Sequence, residues 1–222
     1  MNLEGIVKVF KTKEEEIKVL DNINYQFNNG KLYAITGHSG SGKTTLINIL
    51  GLIEEPTSGK IFINNKDISN LKDIEISELR SKKIGFIFQD FFLDENLKAY
   101  ENVIVPMIIN SNIKREDRKN KAIDLLKKFG LENRTNHYPK ELSGGECQRV
   151  AIARAMANNP DIILADEPTG NLDEKNEIII FEELKKLSKE KKCVIVVSHS
   201  AKIKEYADVI LEIKEGKLNE QS

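Results

Sequence analysis

Leu32-Tyr33-Ala34-Ile35-Thr36-Gly37-His38-Ser39-Gly40-Ser41-Gly42-Lys43-Thr44 is the stretch on which the fold turns. An apolar run ends directly in a glycine loop, and Lys43–Leu50 then carries Leu46, Ile47, Ile49 and Leu50 at helical spacing. A short buried strand, a glycine turn and a helix in that order form one unit of a parallel α/β sheet. Within the loop, Gly37, Ser39, Gly40, Ser41 and Gly42 let successive backbone N–H groups approach an anion at the helix start. Lys43 offers positive charge to terminal phosphates, the Thr44 hydroxyl suits Mg²⁺, and Thr45 follows as a further phosphate contact. A plain Gly-rich turn is the competing description, but it gives no reason for Lys43-Thr44 to open a helix.

About a hundred residues further on stands Leu142-Ser143-Gly144-Gly145-Glu146. Ser followed three residues later by Glu is a capping box, which any helix can use. A capping box needs no Gly-Gly, however, and glycines at a helix start cost stability. Close backbone approach to an anion accounts for them better. One nucleotide does not easily serve two such helix starts in one compact chain, so the second is expected to serve a nucleotide held by a partner copy.

Four further residues join these two motifs. Asp166 and Glu167 end the apolar run Ile162–Ala165, at the strand edge where ligands of open α/β sheets bind. Asp166 suits a Mg²⁺ ion held through water, and Glu167 suits polarising an attacking water. Gln89 follows the strand-like Ile84–Phe88, and its amide oxygen can reach the metal or the water. His199, after Cys193–Val197 and Ser198, can contact the terminal phosphate and hold the water with Glu167. Taken alone, Gln89 is more simply a surface residue and His199 a structural one, as His38 and His137 are read to be, and Asp166-Glu167 is evenly balanced between a site and a solvated turn. The glycine loop and the Ser-Gly-Gly segment change that balance.

Composition sets the outer bounds. A chain of 222 residues forms one domain, or one domain with a subdomain. Lys+Arg (34) and Asp+Glu (35) nearly cancel, so no global basic field for nucleic acid exists and none is expected as a partner. Met1-Asn2-Leu3-Glu4-Gly5 lacks the order of a signal peptide, and no apolar run approaches the roughly 20 residues of a membrane span. Cys147 and Cys193 are too few for a disulfide framework or a metal cage.

Strand patterns are expected at Ile6–Phe10 and Val19–Phe27 around a charged turn at Lys11–Glu16, then at Lys60–Ile63 after a turn at Pro56–Gly59. Lys83–Phe88, Ile162–Ala165, Cys193–Val197 and a last strand near Val209–Ile213 complete the set. Helices are expected within Ala99–Leu131, from the Ser-Gly-Gly segment to Met156, and over Glu174–Glu190. Residues 91–158 read as a helical insertion between sheet strands, not as an independent domain.

These residues together resemble the ATP-binding subunit of an ABC transporter, over essentially the whole chain. Gly37–Thr44 is similar to the Walker A loop, Gln89 to the Q-loop, Leu142–Glu146 to the signature and Ile162–Asp166 to the Walker B strand. Glu167 falls on the catalytic glutamate, Asn171-Leu172-Asp173 on the D-loop and His199 on the switch histidine. Phe10 falls on the aromatic residue that stacks on adenine, with a core aromatic as the alternative. His38, Cys147 and Ser200 depart from a frequent proline, glutamine and aspartate, and Ser200 bears on how His199 is held. The resemblance implies an α/β fold: a RecA-like P-loop NTPase core (1–90 and 159–222) with a mainly parallel sheet, an N-terminal antiparallel β-subdomain and an inserted α-helical subdomain (91–158). The catalytic set it implies is Lys43, Gln89, Glu167 and His199.

Finer strings, Ile84–Gln89, Glu101-Asn102-Val103 and Ala165–Asp173, resemble the MacB, LolD and FtsE group. That implies ATP and Mg²⁺ as cofactors, a homodimer (or a heterodimer with a similar ATPase), and an integral-membrane permease that holds the chain at the inner face of the cell membrane. A soluble ABC ATPase of a non-transport complex is the alternative. The charged two-cassette linkers and long coiled coils of such relatives are absent from this sequence. A nucleotide kinase or GTPase is disfavoured by Leu142–Glu146 and by the lack of an Asn-Lys-x-Asp string.

Overall fold

Burial alternates along the central strands between two apolar layers, and this places the nucleotide loop. A computed structural model describes residues 1–12, 15–110 and 112–221. The chain opens with β1 (Asn2–Lys11) and β2 (Glu16–Gln26); the charged turn expected between them lies in part outside the described residues. Next come β3 (Leu32–Thr36), α1 (Lys43–Leu50), β4 (Ser58–Ile63), β5 (Lys66–Asp67), α2 (Asp73–Lys83) and β6 (Ile84–Ile87). The helical stretch holds α3 (Ala99–Ile109), α4 (Arg115–Lys128) and α5 (Gly144–Ala155). After it follow β7 (Ile162–Asp166), α6 (Glu174–Lys189), β8 (Cys193–Val197), α7 (Ile203–Tyr206), β9 (Val209–Lys214) and β10 (Lys217–Gln221).

Two sheets result. A small antiparallel sheet runs β2-β1-β4-β5, and a larger one runs β10-β9-β3-β8-β7-β6. In the larger sheet β9, β3, β8, β7 and β6 are parallel and only β10 is antiparallel, so the expected α/β class with an antiparallel N-terminal part is what forms. All five residues of β8, and four of five in β3 and β7, are buried, as in a sheet covered on both faces.

Period two then sorts their side chains. Tyr33, Ile35, Leu164, Ile195 and Val197 join the layer with α1 and the antiparallel sheet, whereas Ala34, Ile163, Ala165, Val194 and Val196 join α3, α4, α5 and α6. Each fully buried Leu, Ile or Val contributes about 1.5–3 kcal/mol.

Boundaries differ from the sequence reading in several places: β1 begins at Asn2 and β2 at Glu16, ahead of the expected Ile6 and Val19, and the short β5 was not expected. β4 begins at Ser58, inside the expected turn, where Gly59 (φ 104) lies so close to Gly5 that a Cβ would sit 2.5 Å from its carbonyl oxygen. β6 ends at Ile87 instead of Phe88. The helix α2 was not expected; none of its residues is buried, so it lacks the strong apolar stripe that marks a helix in sequence. Val209–Lys214 is not the last strand, because the mostly exposed β10 pairs with it from Lys217↔Lys214 to Gln221↔Ile210.

Parallel register decides where the motifs meet. Ile35 and Asp166 both pair with Val197 across β3, β8 and β7. The segments that leave these strands, beginning at Gly37, Glu167 and Ser198, therefore emerge side by side at the C-terminal edge of the sheet. Ile87 pairs with Ala165, which brings the segment carrying Gln89 to the same edge.

Candidate active site

A cavity of about 560 Å³ opens at this edge, over the start of α1. Its lining includes Ser39, Gly40, Gly42, Lys43, Thr44 and Thr45 from the glycine loop and the first turn. Gln89, Glu167 and His199 complete the expected part of its wall. Gly42 is left-handed (φ 99) and stands at the N-cap of α1, which has no side-chain cap. The free N–H groups of that first turn are left for an anion.

Lys43 is nearly buried, and its Nζ donates to the carbonyls of Gly37 (3.0 Å) and His38 (2.9 Å). Burial pushes its ammonium down from the ordinary lysine range, against the pull of Glu167 and Asp166. Two protein acceptors hold the cation in place above the loop, where an arriving phosphate can replace them as acceptor. Gly37 (φ 148) leaves no room for a side chain, since a Cβ would stand 2.6 Å from the Ile213 carbonyl oxygen.

The two carboxylates are set differently. Burial pushes the Asp166 carboxyl up, the neighbouring Glu167 adds to this, and Lys43 opposes it. Asp166 Oδ1 and Glu167 Oε1 are buried without hydrogen-bond partners, as is Ser41 Oγ on the loop. Orphaned buried oxygens of this kind are costly unless something fills them.

Glu167 sits at φ 46, a left-handed conformation that costs a non-glycine residue about 1–2 kcal/mol. Its N–H donates to the Val197 carbonyl at 2.9 Å, and its Oε2 accepts from the His199 backbone N–H at 3.1 Å. The His199 Nε2 lies 3.5 Å from Glu167 Oε1, so the imidazole is beside the carboxylate without closing a good hydrogen bond. Ser200 has its N–H on Ser198 Oγ (3.1 Å) and its Oγ under the Lys202 N–H (3.2 Å). Hydroxyl turns thus hold the backbone after His199.

The donor set fits Mg²⁺. A hydroxyl at Thr44, an amide at Gln89 and the orphaned carboxylate of Asp166 are hard oxygen ligands, and a divalent cation would oppose the burial that pushes the Asp166 carboxyl up. Among the described residues no group of three or more His, Cys, Asp or Glu side chains forms a metal cage. A cation here would share phosphate oxygens and water, as Mg²⁺ does.

The remaining expected residues lie elsewhere. Phe10 is 39% exposed on β1, directly across from Ile17, so the core-aromatic alternative is excluded. Asp173 caps α6, accepting from the Asn176 N–H at 2.9 Å. Ser143, Gly144, Gly145 and Glu146 are absent from the cavity lining, and Ser143 and Gly144 are exposed. The capping box is real: Ser143 Oγ accepts from the Glu146 N–H at 3.3 Å and Glu146 Oε2 from the Ser143 N–H at 2.8 Å. Since the hydroxyl is an acceptor in this box, its proton remains available to an anion. Part of the Gly-Gly reading needs correction: Gly145 is buried, and a Cβ there would stand 2.1 Å from Asn176 Oδ1, so its close approach is to α6 of the same chain.

Sequence reasoning missed several contacts. Val19, Gly170 and Val197 also line the cavity. Gln89 Nε2 donates to Asn171 Oδ1 at 3.3 Å, joining the segments after β6 and β7. Gln148, wholly buried on α5, donates from Nε2 to the carbonyls of Pro168 (2.6 Å) and Phe88 (3.3 Å). One amide thus ties the Ser143 helix to the turns after Glu167 and before Gln89. Only a polar residue amid the apolar face of α5 hinted at it.

Fold and site together define a P-loop cassette with a second, outlying helix start. A family model described as ABC transporter matches residues 20–170. The ABC transporter ATP-binding protein MJ0796 of Methanocaldococcus jannaschii is 44% identical over 225 residues, covering 100% of this chain and 96% of that protein. The lipoprotein-releasing system ATP-binding protein LolD of Wigglesworthia glossinidia brevipalpis is 44% identical over 219 residues, covering 98% and 95%. The macrolide export ATP-binding/permease protein MacB 2 of Yersinia pestis is 42% identical over 218 residues, and there this chain matches 32% of a longer protein. A dimeric post-hydrolysis structure of MJ0796 bound to ADP and Pi superposes with a TM-score of 0.89 at 42% identity, covering 100% of this chain and 97% of that one. The chain belongs to the ABC transporter family, as an ATP-binding, ATP-hydrolysing cassette.

Proposed function

We propose that two copies of this chain, or one copy and a similar ATPase, enclose two ATP molecules head to tail and power a membrane permease of the MacB or LolD type. The observation that carries this reading is the exposure of Ser143 and Gly144 away from the Lys43 cavity. A capped helix start that faces solvent with a free hydroxyl proton is open to another chain's triphosphate. That MJ0796 is described as a dimer, in one structure with ADP and Pi bound, supports a two-copy assembly.

In this reading Gly37–Thr45 and Lys43 hold the triphosphate, and Phe10 offers its exposed face to adenine. Bound through Thr44, Asp166 and Gln89, Mg²⁺ would neutralise charge on the phosphates. Glu167 accepts a proton from the attacking water through its orphaned Oε1, and His199 fixes the water's other side. Asp173 meets the partner near its loop. Changes at Gln89 reach the helical part, 91–158, through Gln148, whose amide holds the neighbouring Phe88 carbonyl, while the Gln89–Asn171 contact couples them to the turn after β7.

That part and the core flank an apolar groove of about 830 Å³, with exposed Phe92, Val105, Ile109 and Ile53 along it. A cytoplasmic segment of the permease is its proposed occupant. Among the described residues no helix is long and apolar enough to cross a membrane, and MacB carries its permease in the same polypeptide by name. The whole chain, 1–222, would then act as one ATPase domain at the inner membrane face.

Glu167→Gln tests the hydrolytic step. ATP turnover should fall by roughly 10²–10⁴, the usual range for a positioned base, with ATP affinity kept. A fully active variant would remove Glu167 from that role.

A further inference from the structure

Glu146 presents a problem for any anion approaching Ser143. A helix start carries about half a positive charge, and an unpaired carboxylate in the first turn outweighs it. In this chain both oxygens of Glu146 are engaged. Oε2 takes the Ser143 N–H at 2.8 Å, and Oε1 takes Nε of Arg134 at 2.8 Å. The Arg134 guanidinium, and after it the Ser143 N–H, hold this carboxyl down to about 2.

The arginine belongs to a separate piece of the fold, the short 3₁₀ turn Glu132–Arg134 that follows α4. Its backbone is anchored at both ends: its N–H is on the buried Leu131 carbonyl and its own carbonyl accepts from His137, each at 3.0 Å. The pair is only half shielded, with side-chain exposures of 44% and 18%. A bond so placed contributes little to folding by itself. It does restore the net charge of the helix start.

We propose that Arg134 is a positioning residue for the Ser143 helix: it fixes and neutralises Glu146, so that the helix start attracts the terminal phosphate held by the partner copy. The proposal rests on the two-chain reading above. Arg134 itself touches no nucleotide; it acts through Glu146. Its effect therefore falls on assembly with ATP and leaves the first binding step, at Lys43, alone.

The test uses the Glu167→Gln chain and takes two readings. One is the ATP concentration giving half-maximal dimer in sedimentation velocity; the other is the affinity of dilute monomer for a fluorescent ATP analogue. Arg134→Gln should raise the first about fivefold at low salt and change the second less than about twofold. Arg134→Lys, which keeps the charge, should lie close to the parent. With Glu146→Gln already in place, Arg134→Gln should change assembly less than about twofold, because no charge is left to neutralise.

Equal losses in both backgrounds would overturn the proposal and reduce the bridge to a packing contact. So would no loss, or a loss confined to monomer affinity. If the parent Glu167→Gln chain never dimerises with ATP, the two-chain reading fails and this proposal falls with it. A dimerising parent with an indifferent Arg134 sinks the proposal alone.

Discussion

Gln148 shows how much a single side chain can carry in this cassette. Its amide is wholly buried and serves the carbonyls of Pro168 and Phe88, which begin and end the turns around Glu167 and Gln89. Gln148→Leu keeps the approximate volume and removes both donors. Leaving the buried Pro168 carbonyl without a partner costs about 1–3 kcal/mol, offset in part by removing Gln148 Oε1, itself buried without a partner, so the urea midpoint should fall by at most a corresponding amount. An unchanged midpoint would mean that water replaces the amide. Glu167 is the other residue with an uncommon setting, through its left-handed backbone and its partnerless Oε1. Sequence made Glu167 legible because a carboxylate at the end of an apolar strand is a local pattern. Gln148 was hidden because its partners lie 60 and 20 residues away.

At the scale of elements, α5 joins three demands in its first turn: a cap, a charge balance and a close crossing of α6. Gly145→Ala tests the crossing. The new Cβ would stand 2.1 Å from Asn176 Oδ1, and Asn176 is itself held by Asp173 through Nδ2 at 2.8 Å. Overpacking of this kind typically costs 1–3 kcal/mol, and Asn176→Ala should recover part of that loss in thermal melts. Additive losses would place the strain elsewhere.

Charge in the same turn sets a pH window. The Glu146 carboxyl lies at about 2 against an ordinary 4.5, so its bonds to Arg134 and to the Ser143 N–H together contribute stability that is present above about pH 4.5 and is lost as pH falls toward 2. The difference in melting temperature between the natural chain and Glu146→Gln should shrink over that window and stay constant above it. A constant difference throughout would remove Glu146 from the balance. Elements with a strong apolar signal, such as β3, β7, β8 and α6, were legible in the sequence; α2, β5 and β10, which bury no residue, were not.

The whole molecule gathers Lys43, Gln89, Glu167 and His199 at one edge because parallel strands in register place their C-terminal ends together. Their convergence was readable from strand–motif order, whereas the lining by Val19 depended on packing of the antiparallel sheet against the loop. Ser143 remains apart and exposed, and that separation is the basis for a shared site. Sedimentation velocity of Glu167→Gln, with and without Mg²⁺ and saturating ATP, weighs this most directly. A nucleotide-free species near the 25.2 kDa of one chain that doubles in mass with Mg·ATP, and fails to do so after Ser143→Arg, is the expected result. A chain that binds ATP yet keeps the mass of one copy at every protein concentration, with its permease present or absent, would contradict the account.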